Sequence, residues 1–445
     1  MSTLLRGWPR RVAGPTLLLG LGLAATPERA SAADEEAESS RSNKSQPDEM
    51  SGSGTRLGGL AFDNKGITYR TGDGLFEANI GGRLHLDFGG GEGRGAALGE
   101  RSLWRGQVRR AWGELALTYD RVLTFGLQVD AAGGDEPIYD LALGYSGLDP
   151  FVVTVGNFKE PFSLEQLQSN NETSFMERSL ADALVPARNV GLAVGANGNR
   201  WTAAAGIFGG NINTGVADGG VAGTGRVTYS PILDRARSRV VHFGVAGSYR
   251  SLDKAASFSV GTTPESAVYD SSIIGFDAFR GARSLKRLGL EAAVQHGPFR
   301  AQAEYIAAQV ERDGLGGGPR RSATFQGGYV HATYVLTGQA RSYEFKPKYG
   351  TSYAVFGGVE LADKDRVSSG GTGAWEVGAR YSALTLGSGG LRGGVEHNAT
   401  LGLTWYPDRN LRVVANYVRA FGSDLLGEGR RADVDIVQVR LQLAF

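Results

Sequence analysis

Phe76-Glu-Ala-Asn-Ile-Gly-Gly-Arg-Leu-His-Leu-Asp-Phe88 alternates apolar and polar side chains. On a β-strand successive side chains point to opposite faces. One face therefore carries Phe76, Ala78, Ile80, Leu84, Leu86 and Phe88, and the other carries Glu77, Asn79, Arg83, His85 and Asp87. A soluble sandwich buries the first face against a second sheet. A strand of an outer-membrane barrel turns that face to lipid and lines a water-filled lumen with the charged one.

The same alternation recurs along the chain. Leu123, Phe125, Leu127 and Val129 alternate with Thr124, Gly126, Gln128 and Asp130, and Trp375, Val377, Ala379 and Tyr381 with Glu376, Gly378, Arg380 and Ser382. Such segments run about ten residues, the length a tilted strand needs to cross a bilayer. About sixteen of them fit the chain, which predicts an all-β protein, a 16-stranded antiparallel transmembrane β-barrel. His296-Gly-Pro298 and Pro407-Asp-Arg-Asn410 read as tight turns on one side. The Gly-rich stretches 89–101, 209–221, 311–323, 386–394 and 422–432 read as longer loops on the other. The last strand ends Val437-Gln-Val-Arg-Leu-Gln-Leu-Ala-Phe445, and a terminal Phe on an alternating strand resembles the insertion signal of outer-membrane proteins.

Composition agrees. Gly numbers 68 of 445 residues and Pro only 14, which suits strands and tight turns rather than helices. There is no Cys, so a disulfide framework and a thiolate metal site are both excluded. A formal charge of +1 gives no reason to expect nucleic acid. Residues 1–33 read as a signal peptide: Arg6, Arg10 and Arg11 precede the apolar run 16–25, and Ala30-Ser-Ala32 fits the small-residue cleavage rule. Residues 34–65 read as a disordered polar spacer and 66–445 as the barrel. With no apolar run approaching the ~20 residues of a membrane helix, an exported chain enters a membrane only as a barrel, placing it in the bacterial outer membrane against lipid.

Residues 159–188 break the pattern. Ser163 and Gln166 fit a capping box, so a short helix is expected there, with a second helical turn around 175–184. Apolar anchors (Phe162, Leu164, Leu167, Phe175, Leu180) alternate irregularly with polar residues, as expected of a loop wedged between the barrel wall and water. A connection this long is usually functional. It reads as an inward-folded constriction loop, against the alternative of a loop lying on the rim.

This stretch also carries a family resemblance. Gly156-Asn-Phe-Lys-Glu-Pro-Phe-Ser-Leu-Glu165, Phe175-Met-Glu-Arg-Ser-Leu180 and Pro186-Ala-Arg-Asn-Val-Gly191 resemble the phosphate-selective porins O and P. Arg109-Arg-Ala-Trp-Gly-Glu-Leu115 and Ala301-Gln-Ala-Glu-Tyr305 add support, and the likeness runs from about residue 75 to 445. The resemblance implies a trimeric porin whose third loop narrows the pore. By position it implies constriction arginines at Arg83, Arg109, Arg110 and Arg178, an acidic site residue at Asp140 and an anion-contacting serine at Ser169. The sequence departs from that pattern at Gln166, where the phosphate-selective members carry a loop lysine, and at Asn170, which replaces a second serine. The closely spaced arginines leading to the site are missing too, since 256–268 reads Ala-Ser-Phe-Ser-Val-Gly-Thr-Thr-Pro-Glu-Ser-Ala-Val.

The expected function is passive diffusion of small inorganic anions, phosphate or polyphosphate among them, through an Arg-lined pore. Guanidinium is permanently charged and offers a planar fork to oxyanion oxygens. Two readings compete: a general, weakly selective porin, and a structural or adhesive barrel. For Arg109, Arg110 and Arg178 themselves, the competing reading is that they pair with carboxylates such as Glu114 and Glu177. An enzyme is not expected: no Gly-x-Ser-x-Gly occurs, and the five His are scattered singly. No cofactor is implied. Asp433 and Asp435 are read as lumen charges, against the alternative of a Ca²⁺ site at the rim.

Overall fold

The computed structural model describes residues 55–57, 59–63, 66–94, 101–134, 136–214, 220–253, 257–276, 278–313, 320–348, 351–425 and 430–445. Sixteen antiparallel strands form a closed barrel. The first eight are β1 (Phe76–Arg94), β2 (Arg101–Tyr119), β3 (Leu123–Asp130), β4 (Ile138–Leu148), β5 (Phe151–Lys159), β6 (Arg188–Asn197), β7 (Trp201–Phe208) and β8 (Ala222–Asp234). The rest are β9 (Arg239–Ser251), β10 (Ala282–His296), β11 (Phe299–Arg312), β12 (Arg321–Val335), β13 (Ala374–Ser388), β14 (Leu391–Tyr406), β15 (Leu411–Leu425) and β16 (Arg430–Ala444). Each pairs with the one before it, and β16 returns to β1 with Arg440 opposite Asp87 and Leu441 opposite Leu86. The ladder closes down to Phe445, whose N–H donates to the Gly82 carbonyl at 2.9 Å. Closure satisfies the backbone within the sheet, the requirement for crossing lipid with strands.

The alternation expected for 76–88 holds. Arg83, His85 and Asp87 are buried on the inner face, while Ile80 and Phe88 are exposed on the outer one. Val437, Val439, Leu441, Leu443 and Phe445 form an exposed apolar stripe, and Trp375 stacks on Trp405 with ring centroids 5.5 Å apart at its short-turn end. An aromatic pair there belongs to the girdle at a membrane interface.

The loops differ from expectation. Both strands run into the stretch 386–394, leaving only Gly389-Gly390 between β13 and β14. Their φ values of 59° and 80° are ones glycine adopts without cost, so the stretch is a tight hairpin. β1 likewise continues through Arg94, and β15 and β16 take up most of 422–432. The turns at 296–298 and 407–410 are as expected. Thr55–Leu57, Leu60–Asp63 and Gly66–Arg70 form a small extension paired onto the lower end of β1, with Ile67 opposite Ile80. Sheet structure thus begins inside the stretch read as spacer. Residues 1–33, read as a signal peptide, and residues 34–54 lie outside the described residues.

Two further elements fill the lumen. On the loop side, Leu252, Phe258, Tyr269, Ile274 and Phe276 of the connection 252–281 pack against inward residues of β12–β16, among them Phe325, Leu384, Val418, Val434 and Ile436. That half of the barrel is a packed apolar core. The outer face of the same strands carries Arg419, Asp433 and Asp435, so these two acids are not lumen charges but outward ones, ion-paired with Arg419. The polarity inverts because above the lipid the outside is water and the inside is protein. On the short-turn side, the connection 336–373 contains an antiparallel hairpin, Arg341–Lys348 with Thr351–Val359, that also folds inward. The Tyr343 hydroxyl bonds Ser230 Oγ at 2.8 Å and His242 Nδ1 at 2.7 Å, and Arg226 donates to the Ala354 carbonyl at 3.1 Å.

Candidate functional site: the lumen constriction

The connection 160–187 between β5 and β6 folds into the barrel. Ser163 caps the four-residue helix Leu164–Leu167, its Oγ accepting from the Gln166 N–H at 3.2 Å. This is half of the expected capping box. The other first-turn N–H groups, of Leu164 and Glu165, donate to the Glu304 carboxylate on β11 at 3.0 and 2.7 Å. The second turn is a 3-10 helix, Leu180–Leu184. All five expected anchors are buried. Phe162 and Leu180 enter the loop-side core, Leu164 and Leu167 pack on the lumen hairpin, and Phe175 lies 4.5 Å beneath the Arg380 guanidinium.

A loop away from the sheet leaves its carbonyls without strand partners, and buried carbonyls need donors. Wall arginines supply them. Arg412 reaches the carbonyls of Asn171 (3.0 Å) and Thr173, Arg341 that of Glu172 (2.5 Å), Arg440 that of Met176 (2.5 Å) and Arg380 that of Glu177 (3.0 Å). Inside the loop, Arg178 donates to the carbonyl of Glu165 at 3.1 Å and to Asn170 Oδ1 at 2.7 Å. Lys159 and Arg178 share the carbonyls of Gln166 and Gln168. The guanidinium fork, with five donors, is suited to this strapping role.

The residues implied by the resemblance fall in this region, with partners of their own. Arg83 pairs with Glu114 and lies 4.4 Å over the Trp112 ring. Arg109 grips Glu177 with two hydrogen bonds, 3.1 and 3.2 Å. Arg110 lies 3.7 Å from the same carboxylate, and Arg440, itself bidentate to Asp87, reaches it at 2.6 Å. Burial would raise the Glu177 carboxyl, but these guanidinium groups outweigh it and hold it well below the usual carboxylate range. Asp140 is buried against Arg188 at 2.6 Å. The Gln166 side chain is buried and its Oε1 has no hydrogen-bond partner among the described residues. Ser169 Oγ accepts from the Asn171 N–H at 3.3 Å. Carboxylate pairing thus holds for Arg83, Arg109 and Arg110, whereas Arg178 is bonded to main-chain oxygens and Asn170.

His85 is fully buried, with Nε2 3.0 Å from Asn171 Oδ1. The segment whose arginines are missing places Glu265 inward instead, ion-paired with Arg380 at 2.5 Å. Among the described residues no group of three His, Asp or Glu side chains is placed to hold a metal. Partly exposed residues along the constriction are Arg109, Glu114, Lys159, Ser169–Glu172, Glu177, Arg178 and Arg188. The inner face of alternating strands marks Arg380, Arg412 and Arg440 as lumen residues, but nothing local in sequence shows that they hold a loop.

A closed 16-stranded barrel with an apolar outer stripe, an aromatic girdle and an inward loop strapped to its charged wall is an outer-membrane porin. Its place is the bacterial outer membrane. The chain belongs to the phosphate-selective porin O and P family, which matches residues 78–445. It is 26% identical over 419 residues to porin O of Pseudomonas aeruginosa, covering 85% of this chain and 91% of that one. It is 29% identical over 314 residues to an uncharacterized protein of Caulobacter vibrioides, covering 66% of this chain and 59% of the relative. In fold it is similar to the outer-membrane channel DcaP of Acinetobacter baumannii, with a TM-score of 0.50 at 12% identity, over 85% of this chain and 99% of DcaP.

Proposed function

We propose that this porin is a passive diffusion channel for small polar solutes with a modest preference for anions, and not a high-affinity phosphate channel. The observation that carries this reading is the pairing of Arg83 with Glu114 and of Arg109 and Arg110 with Glu177. An oxyanion entering the constriction has to compete with Glu114 at Arg83 and with Glu177 at Arg109, and the same Glu177 lies 3.7 Å from Arg110. Two carboxylates against these three guanidinium groups leave a reduced net attraction, and the paired charges act at short range. The modest preference resides at Arg178 and Lys159, whose cationic heads lie together on a partly exposed surface and donate to main-chain oxygens. Gln166, with a neutral buried side chain, adds no charge. Binding weak enough for release favours throughput. Passage needs no energy source, cofactor or catalytic group. The assembly that the family resemblance supports is a homotrimer.

The test is chloride conductance in a planar bilayer with phosphate added stepwise. The reading predicts that phosphate lowers current no more than its own mobility explains. Saturable block at low phosphate concentration would overturn it in favour of a specific oxyanion site.

A further inference from the structure

The outer face of β14–β16 and β1 changes character at one height. Going toward the loop side on β16, the outward residues run Leu441, Val439, Val437 and then Asp435, Asp433 and Arg431. Their neighbours change within one outward pair of it: Tyr417 to Arg419 on β15 and Gly90 to Glu92 on β1 at the level of Asp435, and Ala399, opposite Arg419, to His397 on β14 one pair higher. This is the edge of the hydrocarbon. At about 3.3 Å per residue, Asp433 lies about 13 Å along the strand beyond Val437, at the depth of lipid headgroups. In a porin the loop side faces the cell exterior.

Just above this edge an outward-opening cleft of ≈ 450 Å³ is lined by Arg94, His397, Phe421, Ser423, Arg431 and Asp433. Its charges are unevenly committed. Arg419 pairs with both Asp433 (3.3 Å) and Asp435, and the Tyr417 hydroxyl donates to Asp435 at 2.6 Å. The two aspartates thus share one guanidinium within the wall, which leaves one negative charge over on that side of the cleft. Arg94 has only a loose contact with Glu92 at 3.7 Å, both side chains being largely exposed, and exposed Arg431 has no ion pair among the described residues. His397, which lines the cleft, is held through Nδ1 by the Tyr381 hydroxyl at 2.8 Å, so that bond does not engage Nε2.

We infer that this cleft holds the phosphorylated amino-sugar headgroup of an outer-leaflet glycolipid. Arg94 and Arg431 receive a phosphate, whose oxygens match the guanidinium fork. Ser423 and His397 bond sugar hydroxyls, and Phe421 packs on the sugar face beside the start of the acyl chains. The site rests on the outer-membrane location and not on the proposed selectivity, because the side chains assigned to the headgroup (Arg94, His397, Phe421, Ser423 and Arg431) are on the outer face.

The test is native mass spectrometry of the detergent-purified protein with lipid A carrying two phosphates, with its dephosphorylated form and with inorganic phosphate. Bisphosphorylated lipid A is expected to be retained, and Arg94→Gln/Arg431→Gln is expected to weaken it roughly tenfold, the scale of losing one or two charge-assisted bonds. Arg431→Gln alone, at an exposed position, should show a smaller loss and guards against misfolding of the double variant. Arg121→Gln, at an exposed turn-side position, should change nothing, and bilayer conductance should be unaltered throughout. Equal retention by the double variant, or equal retention of the dephosphorylated lipid, would overturn the proposal. Displacement by millimolar inorganic phosphate would overturn it in favour of a free-anion site. A changed subunit number with unchanged lipid binding would overturn it in favour of a contact between copies.

Discussion

Glu177 is the residue on which the constriction turns. One loop carboxylate meets Arg109, Arg110 and Arg440, and so ties the third loop to β2 and β16 at a single point. Its lowered pKa fixes the sign of a pH effect. A carboxyl whose folded value is depressed contributes stability above its unfolded value and loses it only as pH falls through the folded one. Glu177 therefore stays ionised at pH 7 and at about pH 5. The difference in selectivity between the wild type and Glu177→Gln should be the same at both; a difference that vanishes at the lower pH would mean that Glu177 is already protonated there. Arg412 makes a second testable contribution. Arg412→Ala removes two charge-assisted bonds to buried loop carbonyls, which is expected to cost about 3 kcal/mol and to make single-channel current noisier. Unaltered thermal unfolding and noise would show that the loop is held elsewhere.

At the scale of elements, the loop 160–187 was legible from the failure of alternation, from Ser163 and from its apolar anchors, because each of these is a local signal. The balance of the arginines was only half legible. Alternation puts Arg83 and Arg110 on the inner face, yet whether a guanidinium meets water or a carboxylate depends on Glu114 and Glu177, brought near by register and by loop folding. The hairpin Arg341–Val359 was not legible at all. Its strands read like wall strands, and only its position on the short-turn side, plus the packing of Tyr343 and Phe356 on Leu164 and Val240, sends it into the lumen. The Gly-rich stretches misled for a related reason. Glycine marks turns, but in a barrel it also marks inner-wall positions where strands and loops approach closely. Gly156 is one such case: at φ 134° a Cβ there would sit 2.1 Å from the Leu141 carbonyl oxygen. If the hairpin narrows the pore, replacing 341–359 with a short turn should raise single-channel conductance while the barrel still inserts. Unchanged conductance would mean that it packs beside the conducting path.

For the whole molecule, the barrel behaves as two bodies in one wall. Toward the turns it follows the porin rule of apolar outside and polar inside. Toward the loops, on the side of β12–β16, it is inverted, with Phe276 stacked on Phe325 at 5.3 Å in a dry core. Phe325→Ala should cost about 3–5 kcal/mol and open 252–281 to protease without preventing insertion; a protease pattern matching the wild type would show that the core does not hold that connection. The conducting lumen is confined by this core and by two inward elements, and its arginines are largely offset by carboxylates, Glu177 alone serving three of them. The most direct test of that balance is zero-current reversal potential under a KCl gradient, for the wild type and Glu177→Gln side by side. Weak anion preference in the wild type and a clear increase in the variant, as Arg109 and Arg110 lose their counter-charge, is the result predicted. Strong anion selectivity in the wild type that Glu177→Gln leaves unchanged would contradict it.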